Sequence, residues 1–239
     1  MSIYYQDESV TLYHGDCLEL IPNKIEDNSV DCIVTDPPYG VNFRSRMATT
    51  PEGKSWVKEV ANDGDLDTAI DLFFSVMDAL LPKMKSDCDL YVFTRWDIVD
   101  RWMDAVRSID KSINYKMLLV WDKGSPGMGD IDANWGCGHE LILYCKRGRR
   151  DVAYRRSGII AVERVMPVNA IHPTEKPVPL LERFIEMSTD KGDLVVDPFS
   201  GSGSTSVAAQ NTGRDSIAFE LDDDHYTRSL ERLTQDTLF

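Results

Sequence analysis

An open α/β fold, with a mostly parallel sheet of about seven strands and helices on both faces, is what the sequence predicts. Three observations predict it. Short strand-like apolar runs alternate with helix-length amphipathic stretches along the chain. The 239 residues are enough for one substantial core. Apolar residues make up 42% and charged residues 28%, the balance of a folded chain rather than a disordered one.

The elements follow in order. Val10–His14 reads as a short strand, and Val30–Thr35 as a fully buried one. The second strand runs into Pro37-Pro38, and two prolines in a row end it. Residues 44–64 are polar with few apolar anchors and read as a long loop. Asp65 can cap a helix that carries Leu66, Ile70, Phe73, Phe74, Met77 and Leu81 on one face. A strand over 89–94, a helix over 97–108 and a strand over 116–122 come next. Glycines at 124, 127 and 129 then make a loop, and 140–146 is a strand. Pro177 opens a helix, as proline often does at a first turn. The chain ends with a strand over 193–197, a glycine turn, a helix from Ser204, a strand over 216–220 and a helix over 222–233.

Charge excludes some functions. Lys and Arg total 26 against 40 Asp and Glu, a net charge of −14. Such a body repels phosphate backbones, so any nucleic-acid site must be a local basic patch. No apolar run reaches the roughly 20 residues of a membrane span, and the polar start does not suggest a signal peptide. The five cysteines form no C-x-x-C pair, so neither a disulfide framework nor a zinc ribbon is expected. The expected setting is a reducing cytoplasm, and no metal is expected.

Two motifs carry chemistry. The first is Asp36-Pro37-Pro38-Tyr39-Gly40, after a buried strand. Ligands of open α/β sheets bind at the carboxyl ends of the strands. A carboxylate there accepts a hydrogen bond from an amino group, and the prolines offer no N–H. The Pro37 carbonyl can take a second N–H of the same amine, and Tyr39 adds a flat stacking face. The set suits the exocyclic amine of an aromatic base. The second motif runs from Asp197-Pro198-Phe199-Ser200-Gly201-Ser202-Gly203 into Ser204-Thr205, between a strand and a helix. Glycines allow close backbone approach, and a helix start presents free N–H groups. No Lys precedes Ser204, so the phosphate-binding P-loop is not matched. Glu220, at the end of the following strand, is placed to bind the two hydroxyls of a ribose. Taken singly, the motifs also read as a Pro-rich turn and as a tight strand–helix turn beside a surface Glu.

Together they resemble the amino-group DNA methyltransferases that use S-adenosylmethionine, and specifically the β group, where the catalytic motif precedes the cofactor motif. Tyr13-His14-Gly15-Asp16-Cys17 is similar to the family's opening motif, and Asp36 to Tyr39 to its catalytic DPPY. His172-Pro173-Thr174-Glu175-Lys176-Pro177 is similar to its HPTEKP segment, and Asp197 to Gly203 to its cofactor loop. Val120 to Lys123 and His139-Glu140 also have counterparts. The resemblance implies a circularly permuted, Rossmann-like methyltransferase fold over residues 1–239 as one catalytic domain. The strands at 10, 30, 89, 116 and 140 would be its third to seventh, and those at 193 and 216 its first and second. Permutation then places Asp36 and Gly201 at neighbouring strand ends.

The resemblance also implies roles. Asp36, Pro37, Pro38 and Tyr39 would hold the target base, with Asp36 also facing the cofactor. Asp197, Phe199, Gly201, Gly203 and Thr205 would cradle the methionine part of S-adenosylmethionine, and Glu220 the ribose. Asp16 and Cys17 would flank the adenine, although Cys17 reads more readily as a small core residue. Thr174 and Lys176 would reach the methionine carboxylate or a nearby loop. His139 and His172 read as structural, and Trp121 either lines the base pocket or fills the core. A cytosine-C5 mechanism needs a Pro-Cys pair, which is absent. Adenine N6 is favoured over cytosine N4, because Asp at position 36 is commoner in family members acting on adenine. A non-catalytic subunit that binds cofactor and DNA is the reading from another class.

One departure from the family stands out. The region between the last sheet strand and HPTEKP, where target recognition usually sits, spans only residues 146–171. It holds Lys146, Arg147, Arg149, Arg150, Arg155 and Arg156, either a DNA contact or a charged hairpin. Arg44, Arg46 and Lys54 in 41–64 are the other expected DNA contacts. So short a region predicts relaxed or very short sequence specificity, or help from a second copy of the chain.

Overall fold

The computed structural model describes residues 4–40, 64–125, 135–151, 155–165 and 175–236. In chain order the elements are β1 (Tyr4–Gln6), β2 (Val10–His14), α1 (Cys17–Lys24), β3 (Val30–Thr35), α2 (Leu66–Leu80), β4 (Met84–Thr94), α3 (Val99–Ser108), β5 (Ile113–Asp122), β6 (His139–Arg147), β7 (Ile159–Ala161), α4 (Val178–Ser188), β8 (Leu194–Asp197), α5 (Ser204–Asn211), β9 (Asp215–Glu220) and α6 (Asp223–Asp236). Among the described residues nine strands form one sheet in the order β1-β2-β9-β8-β3-β4-β6-β5-β7. Strands β2, β9, β8, β3 and β4 run parallel, and β6 runs antiparallel to both of its neighbours.

Among the described residues the sheet has nine strands rather than the expected seven. Both extra strands are three residues long and sit at the two edges, β1 against β2 and β7 against β5. The inner seven are the expected ones in the expected permuted order. The chain's last two strands slot between its second and third. As a result, β8 lies directly beside β3, with Cys32 opposite Val195 and Ile33 opposite Val196.

Burial explains the layers. All six residues of β3 are buried, as a central parallel strand requires. Alternate side chains point to opposite faces. Ile33, Leu90, Val92 and Leu143 join one core with Ile21 of α1, Phe73 and Met77 of α2, and Trp102 of α3. Cys32, Val34, Tyr91, Phe93 and Ile142 face the other way, onto Leu181 and Phe184 of α4 and Ala208 of α5. Trp102 is fully buried and meets Phe73 edge-on with centroids 5.2 Å apart. Truncating such a residue to Ala costs about 3–5 kcal/mol.

Other differences are local. Strand β4 begins at Met84, ahead of the expected residue 89, and β5 at Ile113, ahead of 116. Helix α1 was not expected at all. It has eight residues and contains Pro22, and its start is fixed by the Asp16 carboxylate accepting the Leu18 N–H at 2.9 Å. Among the described residues no helix is long and apolar enough to cross a membrane.

Candidate active site

The carboxyl ends of the parallel strands make one rim, and both motifs lie on it. Strand β3 ends at Thr35 and continues into Asp36-Pro37-Pro38-Tyr39. The two prolines remove two N–H groups, so the turn presents mainly acceptors. The Tyr39 hydroxyl donates to Asp36 Oδ1, and the Lys176 ammonium donates to Oδ2 at 2.6 Å. The Tyr39 ring stands edge-on to Trp102, with centroids 6.4 Å apart. Burial, then the Asp36 and Glu140 carboxylates, push the Tyr39 phenol well above its usual range. Tyr39 is therefore a neutral donor at ordinary pH.

Beside it, β8 ends at Asp197, whose carboxylate organises the next turn. Oδ1 accepts the Phe199 N–H at 3.0 Å, and Oδ2 accepts the Thr205 hydroxyl at 2.6 Å. Burial is the main cause that raises Asp197 to about 7. The Thr205 and Phe199 donors oppose that rise, while Asp36 and Glu220 add to it. Glu220, at the end of β9, takes the Gly201 N–H at 2.7 Å on one oxygen and the Asp222 N–H at 2.8 Å on the other. Burial pushes Glu220 up, against those N–H donors. Gly201 and Gly203 have φ of +55° and +74°, a backbone that L side chains rarely adopt. At Gly203 a Cβ would also come within 3.3 Å of Ser229 on α6, whereas at Gly201 it would meet open space.

The opening motif completes this side of the rim. His14, opposite Glu220 in the β2–β9 register, pairs with Asp223 at 2.9 Å and stacks on Tyr226. Asp16 caps α1, and Cys17 is buried in the core with its thiol pushed up to about 12, by burial first and then by Asp16. Cys17 thus sits as a small core residue at the rim's inner wall.

The structure does not bring every expected site residue together. Lys176 lies on Asp36 rather than free beside the glycine loop. Its neighbour Glu175 pairs with Arg232 at 2.9 Å, and Arg232 reaches Ser204 Oγ at 3.0 Å, so this segment is tied to the start of α5. Arg150 is at the opposite rim, paired with Asp193 at 2.9 Å and Asp190 at 2.5 Å near the amino end of β8. The Arg149 N–H bonds Asp87 at that same end. Arg156 reaches Glu186 of α4 at 3.3 Å, and Arg155 is exposed. Trp121 is buried and donates to the Val162 carbonyl at 2.7 Å, which places it in the core. Thr174, His172, Arg44, Arg46 and Lys54 lie outside the described residues.

Two residues not singled out for the site belong to it. Glu140 and Lys123 stand at the rim ends of β6 and β5 and pair at 2.7 Å. Glu140 also lies 3.3 Å from Lys176 Nζ. Burial would raise Glu140, but Lys176 and Lys123 outweigh it and hold the carboxyl below its ordinary value. The signal available in the sequence was position: both residues flank a hairpin whose register sets Asp122 against His139. Among the described residues no group of three or more His, Cys, Asp or Glu is placed to hold a metal.

An acceptor-rich turn and a glycine loop on adjacent parallel strands, in this permuted order, form the frame of one family, and its model, described as DNA methylase, matches residues 30–231. The chain belongs to the N6/N4 DNA methylase family. This methylase is 31% identical over 222 residues to YubD of Escherichia coli (strain K12), named as a methylase, covering 92% of this chain and 88% of that one. It is 26% identical over 266 residues to the DNA adenine methyltransferase YhdJ of the same organism, covering 96% and 84%. Among solved structures, the PvuII DNA methyltransferase, cytosine-N4-specific, aligns with a TM-score of 0.73 at 20% identity, over 95% of this methylase and 87% of that chain. At that identity the likeness is one of fold.

Proposed function

We propose that this chain transfers a methyl group from S-adenosylmethionine to the N6 amine of adenine in DNA. The observation that carries the reading is the Asp36 carboxylate, set in an acceptor-rich turn one strand away from the Asp197–Gly203 loop. The amine of adenine is a poor nucleophile because its lone pair is delocalised into the ring. Asp36 and the Pro37 carbonyl accept its two N–H groups and so localise that pair. Tyr39 stacks on the base, which must leave the duplex to be reached. Positioning and electrostatics supply most of the catalysis.

The loop fits the cofactor. Asp197 and Glu220 are acceptors suited to an amine and a pair of hydroxyls, Ser200 Oγ is buried with no hydrogen-bond partner, and the space at Gly201 is open. Asp197, Phe199, Gly201, Gly203 and Thr205 would hold the methionine part, Glu220 the ribose, and Asp16 and Cys17 the wall beside the adenine. S-adenosylmethionine, when bound, supplies an electrophilic methyl on a sulfonium. Residues 1–239 act in this reading as one catalytic unit in the cytoplasm of a bacterial or phage-infected cell. The exposed Arg155, with Arg44, Arg46 and Lys54, contacts the DNA strand, and a second copy of the chain can widen the contact.

A second reading, cytosine N4, is kept by the PvuII neighbour, named as cytosine-N4-specific. Asp rather than Ser at position 36 and the adenine-methylating relative favour adenine. The test is to incubate the chain with S-adenosylmethionine and unmethylated duplex DNA, digest to nucleosides and analyse by mass spectrometry. N6-methyladenine is expected. N4-methylcytosine would overturn the base assignment, and neither product, with cofactor bound, would overturn catalysis by this chain alone.

A further inference from the structure

We propose that Lys176 is a positioning residue for the catalytic carboxylate, anchored between Asp36 and Glu140, rather than a contact to the cofactor. The inference rests on the methyl-transfer reading and deepens it. The geometry is a line of alternating charge. Lys123 Nζ is 2.7 Å from Glu140 Oε1, Glu140 Oε2 is 3.3 Å from Lys176 Nζ, and Lys176 Nζ is 2.6 Å from Asp36 Oδ2. The Tyr39 hydroxyl closes the line on Asp36 Oδ1.

Lys176 is 8% exposed, and its ammonium lies 4.9 Å over the Phe93 ring. A buried ammonium is tolerated only when it is paired, and here two carboxylates and an aromatic face satisfy it. Burial alone would lower its proton affinity, but Asp36 and Glu140 together raise it, so Lys176 stays charged across ordinary pH. A group so engaged has little left to offer a cofactor carboxylate.

Holding Asp36 by both oxygens fixes the carboxylate plane. An ionised carboxylate has about four lone-pair sites, so two remain for an incoming amine. The orientation of those two is then set before the base arrives, and preset acceptors are the ones that count in a step run by positioning. Lys176 also stands between the Asp36 and Glu140 carboxylates, which would otherwise repel one another. Glu140 cannot collapse onto Lys176 because Lys123 holds its other oxygen. The contacts thus run unbroken from the ends of β5 and β6 to the 36–39 turn.

The experiment compares wild type with K176M and K176R, with K176Q carrying the same test where K176M does not fold. Calorimetry reads S-adenosylmethionine affinity, and single-turnover methylation at saturating cofactor reads the chemical step. Positioning predicts cofactor affinity within about twofold of wild type in K176M, a rate reduced about 100-fold, and recovery of most of that rate in K176R. A tenfold or greater loss of cofactor affinity, with the saturated rate intact, would overturn the proposal. A thermal-unfolding cycle of D36N with K176M reads the pair without turnover. K176M should lower the Tm by about 10 °C in wild type and by much less in D36N. Equal losses in both backgrounds would also overturn it. A wild-type chain that binds cofactor but methylates no DNA would sink the methyl-transfer reading instead, and the cycle would still decide whether Lys176 holds Asp36.

Discussion

Two turns sit side by side at the ends of β3 and β8, and they are built in opposite ways. The turn at 36–39 has two prolines and offers acceptors, and its key side chain is held by Lys176, 140 residues away in sequence. The turn at 197–203 has glycines, and contacts from the same stretch of chain, β8 to α6, hold it: Asp197 to residues 199 and 205, Glu220 and Ser229 to Gly201, and Arg232 to Ser202. One turn is stiff in its backbone and depends on distant charge. The other is permissive in its backbone and depends on nearby carboxylates. The lesson is that acceptor geometry is imposed by a distant part of the chain, while the glycine loop is held by the strand and helix that follow it.

The largest break in this comparison is at Asp36. Replacing it with Asn exchanges one acceptor oxygen for a donor NH2, and the target amine then meets a donor. Turnover should fall 10³- to 10⁴-fold, about 4–5.5 kcal/mol of transition-state stabilisation. Cofactor affinity should stay within a few-fold, because the glycine loop keeps its own contacts. Undiminished methylation by D36N, followed as radiolabel incorporated into DNA, would remove Asp36 from the mechanism.

Asp197 tests the other turn through pH. Its folded value of about 7 lies above the ordinary 3.8, so the folded state binds the proton more tightly than the unfolded chain. The corresponding stability is fully present below about pH 4 and is lost as pH rises through 7. The shift of about 3 pH units corresponds to roughly 4 kcal/mol at most. Denaturant titrations of wild type and D197N should therefore diverge with pH, the variant gaining on wild type between pH 4 and pH 8. In the proposed role, wild-type affinity for S-adenosylmethionine should climb through pH 7 as the carboxylate ionises, and the D197N profile should be flat across that range. A pH-independent difference between the two proteins would show that Asp197 does not titrate there.

The two glycines sharpen the same region. Both G201A and G203A place an L residue at positive φ, at a cost of about 1–2 kcal/mol. Only at Gly203 does the added methyl also press on Ser229, at 3.3 Å. G203A should be the more destabilised in thermal unfolding. G201A, whose methyl enters open space, should instead lose more cofactor affinity than stability. The reverse ranking would place the cofactor on the other side of the loop.

Much of this frame was legible in the sequence, for physical reasons. Strand β3 could be read because a central parallel strand is a largely apolar run, here interrupted by Asp31. The order of strands followed from the order of motifs, and the structure has it. The early part of β4 was not legible, because its residues Lys85, Ser86 and Asp87 look like loop while their backbone continues the strand. Helix α1 was hidden by Pro22. The 36–39 motif stood out in the sequence, but the Lys176–Asp36 pair did not, since nothing local marks a contact across 140 residues. Family likeness pointed Lys176 to the cofactor, and the geometry points it to the carboxylate.

The smallest expected effect concerns Arg150, where the same blindness to distant partners produced a basic patch. Six cations crowd 146–156 in the sequence, and that density reads as a phosphate-binding surface. In the fold Arg150 is three-quarters covered and meets Asp190 and Asp193, with Asp31 at 4.0 Å, all on the rim away from Asp36. Its charge is spent on acids, and its place is a strand's length, roughly 15 Å, from the 36–39 turn. R150A should cost about 1 kcal/mol of stability, since partly exposed pairs contribute little and Asp31 keeps Lys85 at 2.8 Å. DNA affinity should change less than twofold at any salt concentration. For R155A, exposed on the chain leading to β7, the expected pattern is reversed, with stability unchanged and a shallower dependence of DNA affinity on salt. A salt slope reduced by R150A and not by R155A would return the opposite rim to the DNA contact.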